Sequence, residues 1–343
     1  MDLVDLFAGA GGWDVAARHL GLSVARVETN PSANATAAAA GFATLAIRNA
    51  LAVSTAGYDG IVASPPCQPF SAAAKDHNQD AQRVLDAVTA GTWGSIVDML
   101  HLGRACRDKR SMLALVPLYH VNQTRPAWTA WEQVPGVLPL WRACAAALKS
   151  LGYHTWCGVL HAEAYGVPQT RRRAVLIAAD HPVGQPAPTH SRYYPRNKTR
   201  RDVGVKNFVT LEQALGEVSV LSTYSTNGDY TNRGSREHTE PAATVTTKTS
   251  RNKMFGDRPA TTVVASHSPE YLAAPGWRTR RHRQDADGSI RISPAQAGVL
   301  QSFPPDYPWR GTVDQKFTQI GNAIPPLLAG AIIKEALRAG PGQ

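Results

Sequence analysis

A doubly wound α/β sheet of mostly parallel strands is the fold predicted for the first 184 of the 343 residues. Three observations predict it. Short apolar runs alternate with helical stretches. The first run ends in a glycine-rich turn that opens a helix. Two later runs end in polar, proline-bearing turns, the place where open parallel sheets collect their ligands.

Leu3–Phe7 is the first strand, and its turn reads Asp5-Leu6-Phe7-Ala8-Gly9-Ala10-Gly11-Gly12. A helix follows over Asp14–Leu20, then a second strand, Ser23–Glu28, and an alanine-rich helix, Ser32–Ala40. Thr44–Ile47 and Gly60–Ser64 are further strands, the latter leading into Ser64-Pro65-Pro66-Cys67-Gln68-Pro69-Phe70-Ser71. Residues 77–110 are polar and weakly patterned and read as a mobile excursion with room for one helix. Ala130–Val134 is a short strand. Pro139–Leu151 carries apolar residues at spacings of three and four and stops at Gly152. Thr155–Leu160 and Ala174–Ala178 complete the sheet.

Beyond Asp180 the chain changes character, with Pro, Thr, Asn, Arg and Tyr dominant. A weak repeat, Glu240–Thr246 and Arg258–Val264, predicts two similar short strands. Helical patterning returns in Pro325–Leu337. The expected division is one domain from 1–184 plus 315–343 and a smaller, loop-rich domain over 185–314.

Charge is distributed unevenly. The chain holds 36 Lys+Arg and 26 Asp+Glu, net +10, yet residues 185–285 alone carry 16 basic and 9 acidic residues, net +7. A solvated basic face and a polyanion-binding surface both fit that excess. Hydrophobic residues at 43% and charged residues at 18% exclude general disorder. No apolar run is long enough for a transmembrane helix, and the N-terminus lacks a secretory pattern, so a cytoplasmic protein is expected. Cys67, Cys106, Cys144 and Cys157 form no CxxC pair, which argues against a disulfide framework or zinc ribbon.

Several residues have chemistry suited to a site. Glycines let the backbone turn sharply and let a cosubstrate approach, and Glu28 at the next strand end can hold ribose hydroxyls or be a plain surface acid. Cys67 sits on a rigid turn above a strand end and is the candidate nucleophile, whereas Cys144 falls in an apolar helix and reads as core. Glu132 ends another strand. Alternation sets Gln169, Arg171 and Arg173 on one face. Gly321-Asn322-Ala323-Ile324-Pro325-Pro326 opens the last helix.

Taken in order, these segments resemble the cytosine-C5 DNA methyltransferase family. The residues that carry the resemblance are the Phe7–Gly12 turn, Glu28, Pro66-Cys67-Gln68, Glu132-Gln133-Val134, Gln169/Arg171/Arg173, Arg291-Ile-Ser-Pro with Leu300-Gln-Ser-Phe-Pro, and Gly321–Pro326. They span nearly the whole chain. Three positions depart from the family pattern: Gln133 stands where Asn is usual, Thr29 where an aromatic often follows the acid, and Asn49 where an acid meets the adenine amine.

The resemblance implies a Rossmann-like, S-adenosylmethionine-dependent catalytic domain, a DNA-recognition domain, and no metal. It implies catalysis by Cys67 as nucleophile, Glu132 as acid at cytosine N3, and Arg173 with Arg171 at O2. Cosubstrate contacts are expected from Phe7, Ala8, Gly9, Gly11, Gly12, Glu28, Asn49 and Asn322. DNA contacts are expected from Gln68, Ser71, Gln169, Arg278, Arg280 and Arg281. The partners implied are double-stranded DNA and a cognate restriction endonuclease, for a monomer near the nucleoid. An RNA-acting relative, an inactive DNA-binding relative and a nucleotide-level pyrimidine methylase are the competing readings.

Overall fold

The computed structural model describes residues 2–45, 49–66, 70, 78–197, 199–216, 221–222, 253–254, 260–261 and 292–338. Cys67, Gln68, Ser71, Arg278, Arg280 and Arg281 lie outside them, as do Ala46, Ile47 and the repeat copy at 240–246. The chain divides into two compact units. One comprises Met1–Leu160, Arg172–Ala187 and Ala329–Gln343, the other His161–Arg171 and Pro188–Leu328.

The first unit is built on a six-stranded sheet. Its strands are β1 (Asp2–Leu6), β2 (Ser23–Val27), β3 (Gly60–Ala63), β4 (Trp128–Gln133), β5 (His154–His161) and, after the two-residue β6 (Gln169–Thr170), β7 (Arg172–Ala179). The order is β2-β1-β3-β4-β7-β5. β1 pairs in parallel with β2 and β3, and β3 with β4, while β7 runs antiparallel to β4. Every residue of β3 and β4 is buried, as for strands covered on both faces. At Gly60 a Cβ would come within 2.2 Å of the Trp128 ring, so only glycine lets these strands pair with the indole lying across them.

Helices α1 (Gly12–His19), α2 (Pro31–Ala39), α3 (Asn78–Ala90), α4 (Ile96–Ala105), α5 (Val116–Thr124) and α6 (Leu138–Ser150) lie between the strands in sequence. The core they share with the sheet includes Leu6, Ile61, Met99, Leu118, Trp131, Trp141 and Leu148. Trp131 and Trp141 meet edge to face at 5.5 Å.

One expectation is corrected. The stretch 77–110 is not a loop with a single helix but two helices, α3 and α4, followed by a 3-10 turn over Lys109–Leu115. Their buried residues (Val84, Ala87 and Val88; Met99 and Leu102) recur at helical spacing among polar neighbours that hid the pattern. The buried carboxylate of Asp80 fastens the segment. It accepts the backbone N–H of Arg107 and of Asp108, both at 2.9 Å, and an Arg83 Nη1 hydrogen at 2.9 Å. Of the expected strand Thr44–Ile47, Thr44 makes an isolated parallel bridge to Arg26, and Ala46 and Ile47 lie outside the described residues.

In the second unit β6 pairs in parallel with β10 (Ala260–Thr261), the described part of the second repeat copy. Between them in sequence come α7 (Leu211–Leu215) and the short pair β8 (Leu221–Ser222) and β9 (Lys253–Met254). Then follow α8 (Pro294–Leu300) and α9 (Val313–Asn322), and the last helix, α10 (Pro326–Ala336), belongs from Ala329 onward to the first unit. Gly321 and Asn322 end α9, and the last helix, expected over Pro325–Leu337, runs from Pro326 to Ala336.

Candidate active site

The strand order reverses at β1, which has β2 on one side and β3 on the other. Ligands of open sheets bind beyond the carboxyl ends of strands at such a point. Beyond β1 the chain turns through Phe7, Gly9 and Gly11, all with positive φ (66°, 56° and 103°). Around Gly9 an added Cβ would meet nothing within 4 Å, so the turn borders open space. Glu28, just past β2, ties two loops together. One carboxylate oxygen accepts the Gly9 N–H at 2.8 Å and the other the Asn30 N–H at 2.6 Å.

Beneath this turn sits a charge cluster that sequence reasoning missed. Arg26, fully buried, pairs with Asp14 at 2.7 Å and donates to Thr44 Oγ1 at 2.9 Å and to the Gly9 carbonyl at 2.6 Å. The guanidinium thus braces the glycine turn from below. Asp5 is also fully buried, with neither oxygen partnered among the described residues. Burial, aided by the nearby Asp14 charge, holds its carboxyl well above the usual carboxylate range. An arginine within an otherwise apolar strand was the available signal.

The ends of β3, β4 and β7 bring a second group together. Ala63 pairs with Trp131, so one step further the register sets Ser64 beside Glu132. Val175 faces Glu132 across the antiparallel pair, and Arg173, two residues earlier, shares that face. The side chains join accordingly. Arg173 Nε lies 2.6 Å from Glu132 Oε1, and the Ser64 hydroxyl donates to Glu132 Oε2 at 3.0 Å. The Trp13 indole N–H donates to Ser64 Oγ at 3.0 Å. Glu132 and Arg173 are both buried. No motif singles out Ser64 in the sequence, and the Trp13 side chain is enclosed in the core.

Pro65 and Phe70, which precede and follow the Cys67 motif in sequence, each meet the segment after β4. Gln133 donates through Nε2 to the Pro65 carbonyl, and its Oε1 accepts the Val134 N–H at 2.5 Å. A Cβ at Gly136 would come within 2.3 Å of the Phe70 carbonyl oxygen, an approach only glycine permits. The remaining cysteines are poorly suited to attack. Cys106 and Cys144 are buried and Cys157 partly so. Burial pushes the thiols of Cys106 and Cys157 up to about 11 and that of Cys144 higher still.

The other expected site residues have these surroundings. Asn49 is exposed, with its Oδ1 accepting the Leu51 N–H at 3.0 Å, and Thr29 is exposed at the end of β2. In the second unit Gln169 is fully enclosed and donates to the Leu300 carbonyl at 3.1 Å and to Gln301 Oε1 at 2.8 Å. Arg171, equally enclosed, donates to the carbonyls of Gly321 (2.9 Å) and Ala323 (3.0 Å). Gln301 donates to the Ile320 and Ala323 carbonyls, so Gln169, Arg171 and Gln301 together fasten the end of α9. Asn322 is exposed there.

The second unit also displays a basic, aromatic segment over residues 191–208. Arg200 lies over the Tyr194 ring at 4.2 Å, Arg192 over the same ring at 5.4 Å, and Arg201 over Phe208 at 4.6 Å. Asp202 organises it, accepting the Tyr194 hydroxyl at 2.6 Å and the Arg192 N–H at 2.9 Å. All three arginines are exposed.

Comparison with known proteins gives consistent matches. The family model described as C-5 cytosine-specific DNA methylase matches residues 1–88 and 103–338. Type II methyltransferase M1.HphI of Haemophilus parahaemolyticus is 24% identical, over 98% of this chain and 86% of its own length. M.XorII of Xanthomonas oryzae is 25% identical over 98% and 85%. M.BspRI of Lysinibacillus sphaericus is 24% identical over 67% of this chain, and the match spans only 55% of that protein. Among solved structures, the S. pombe Dnmt2 methyltransferase superposes with a TM-score of 0.58 at 14% identity, covering 98% of both chains. The Entamoeba histolytica methyltransferase EhMeth gives 0.57 at 12%, covering 98% of this chain and 97% of its own. These likenesses show a shared fold.

Proposed function

The chain belongs to the C-5 cytosine-specific DNA methylase family, and from that premise we propose that it methylates C5 of a cytosine flipped out of duplex DNA, through a covalent adduct of Cys67. The observation that carries this reading is Glu132, held between Ser64 and Arg173 at the strand ends next to the Pro65–Pro66 turn.

S-adenosylmethionine, when bound, supplies an electrophilic methyl group on a sulfonium. The residues present fit it. The glycine turn borders open space at Gly9, and Glu28 stands at the end of β2 with a carboxylate suited to ribose hydroxyls. Thr29 and Asn49 leave the adenine end with a weaker set of contacts than an aromatic and an acid would supply.

Cytosine C5 is too electron-poor to attack a methyl group unaided. The Cys67 thiolate adds to C6, forming a C–S bond, and the electron pair of the C5–C6 bond becomes available at C5. Glu132 donates a proton to N3 as the ring gains charge. Arg173 binds O2 and stabilises that charge. After methyl transfer a base removes the C5 proton, the C–S bond breaks, the thiolate leaves, and N3 returns its proton to Glu132. A stacked base exposes neither C5 nor C6 to such attack, so the target leaves the helix. Gln169 and Arg171 contribute by positioning, through their hold on α9. The second unit serves as the recognition domain, with the 191–208 segment and the basic residues that follow gripping phosphates. The named relatives are Type II methyltransferases, and a cognate endonuclease is the fitting partner.

A duplex carrying 5-fluorocytosine at the methylated site tests the proposal, because the C5 fluorine cannot leave as a proton does. The natural chain is expected to be trapped covalently, and Cys67→Ser is not. Bisulfite sequencing of DNA from expressing cells finds the site, and parallel product analysis on RNA separates the RNA-acting reading. Trapping that survives Cys67→Ser would falsify the assignment.

A further inference from the structure

The chain of hydrogen bonds behind Glu132 has a direction. An indole nitrogen can only donate, so Trp13 occupies a lone pair of Ser64 Oγ at 3.0 Å. The hydroxyl proton of Ser64 is left for Glu132 Oε2, also at 3.0 Å. Arg173 takes Oε1 at 2.6 Å. Each carboxylate oxygen keeps a further lone-pair site for the substrate. Trp13 is enclosed within α1 and Ser64 stands at the end of β3, so the oxygen of the hydroxyl is fixed by two elements of the core.

Resting on the function proposed above, we propose that Ser64, anchored by Trp13, is a positioning residue that keeps Glu132 aimed at cytosine N3 both before and after it gives up its proton. The argument is chemical. A general acid changes from carboxylic acid to carboxylate in the step it catalyses, and its holder must suit both states. Arg173 can only donate and therefore suits the carboxylate. A hydroxyl both donates and accepts. Ser64 donates to Oε2 while Glu132 is ionised, and its second lone pair accepts from Oε2–H when Glu132 is protonated. Because Trp13 pins the oxygen, the reversal needs only rotation of one O–H bond. Alanine at this position would leave Glu132 tethered, among the described residues, through Arg173 and free to turn about that contact.

Steady-state kinetics of Ser64→Ala, Ser64→Thr and Trp13→Phe on the full chain test this. A hydrogen bond to a charged group, lost from a step that depends on it, predicts a fall in kcat of roughly ten- to hundred-fold for Ser64→Ala. KM for S-adenosylmethionine is expected within about twofold of the natural chain, since the cosubstrate end is untouched. Trapping by 5-fluorocytosine DNA slows in step with kcat. Ser64→Thr, which retains the hydroxyl, restores kcat, and Trp13→Phe lowers it less than Ser64→Ala does. Natural kcat in Ser64→Ala overturns the proposal. So does failure of Ser64→Thr to restore kcat in a folded protein that binds cosubstrate normally. If Ser64→Ala does not fold, Trp13→Phe decides, and an unchanged kcat there counts against the proposal. A natural chain that neither methylates nor is trapped would overturn the underlying function instead, an outcome visible before any variant is made.

Discussion

The strand-end corner of the first unit and the 191–208 segment of the second use charge in opposite ways. At the corner, Glu132, Arg173, Arg26, Asp14 and Asp5 are buried, and all but Asp5 are held by short, specific bonds. On the segment, Arg192, Arg200 and Arg201 stand in solvent, kept in place by aromatic rings and by one aspartate. Burying a charge costs several kcal/mol before any partner offsets it, so such groups tolerate little change. Exposed charges are screened and individually weak. On the function proposed, the first arrangement suits the orienting of chemistry and the second the summing of many modest attractions to a polyanion.

The largest effect expected from breaking this contrast is at Glu132. Glu132→Gln keeps the shape but removes the proton donor, and methyl transfer should fall by roughly 10²–10⁴-fold. Cosubstrate affinity, measured by calorimetry with S-adenosylhomocysteine, should stay near that of the natural chain. A variant with more than a tenth of natural turnover would remove Glu132 from the acid role.

Arg26→Met tests the buried strut. It leaves Asp14 enclosed without its counter-charge, and removing one partner of a buried pair typically costs about 3–5 kcal/mol. Denaturant unfolding should register that loss, and a change below about 1 kcal/mol would mean that the glycine turn does not depend on the arginine.

The adenine end allows a gain instead of a loss. Thr29 is exposed at the end of β2, so a ring fits there without disturbing the core. Thr29→Trp should tighten S-adenosylhomocysteine by roughly five- to hundred-fold, the range of base–aromatic stacking. Asn49→Asp should tighten it less. One carboxylate oxygen can continue to accept the Leu51 N–H while the other meets the adenine amine. Calorimetry that finds no gain in either variant means that the pocket is compensated elsewhere.

On the exposed segment, Arg192→Ala with Arg200→Ala should weaken DNA binding similarly at every sequence. The double change should reduce the slope of log K against log salt by about 1–2. An altered site preference with an unchanged slope would make these arginines base readers.

The smallest effect concerns acid. Burial alone would raise the Asp80 carboxyl, but the N–H groups of Asp108 and Arg107, with Arg83 and Ser111, more than offset this and hold it below its ordinary value of 3.8. A depressed carboxyl contributes stability above its unfolded-state pKa and loses it as pH falls through the folded one. Melting temperatures taken below about pH 4 should therefore converge between the natural chain and Asp80→Asn, while at pH 7 the natural chain is the more stable.

Most strands and the glycine turn were legible because alternation of apolar runs with turn residues is a local signal. Glu132 and Arg173 could each be picked out as strand-end or strand-adjacent charges. Their meeting depends on the antiparallel register of β7 against β4, which no local pattern specifies. The helices α3 and α4 were hidden because their buried faces are narrow and their fastening, Asp80 to Arg107 and Asp108, joins residues far apart in sequence.

The sequence by itself determined the order of the motifs, the residue types of the chemistry and the family they resemble, since these are properties of short segments read along the chain. The tertiary structure decided which charges touch. Arg171 and Arg173 stand two residues apart on one alternating face, yet one fastens carbonyls at the end of α9 and the other meets Glu132. Ser64 and Trp13 carry no signal in sequence because their role exists only once β3, β4 and α1 are packed. Alternation sets the side to which a side chain points, whereas its partner depends on long-range pairing paid for by the whole core.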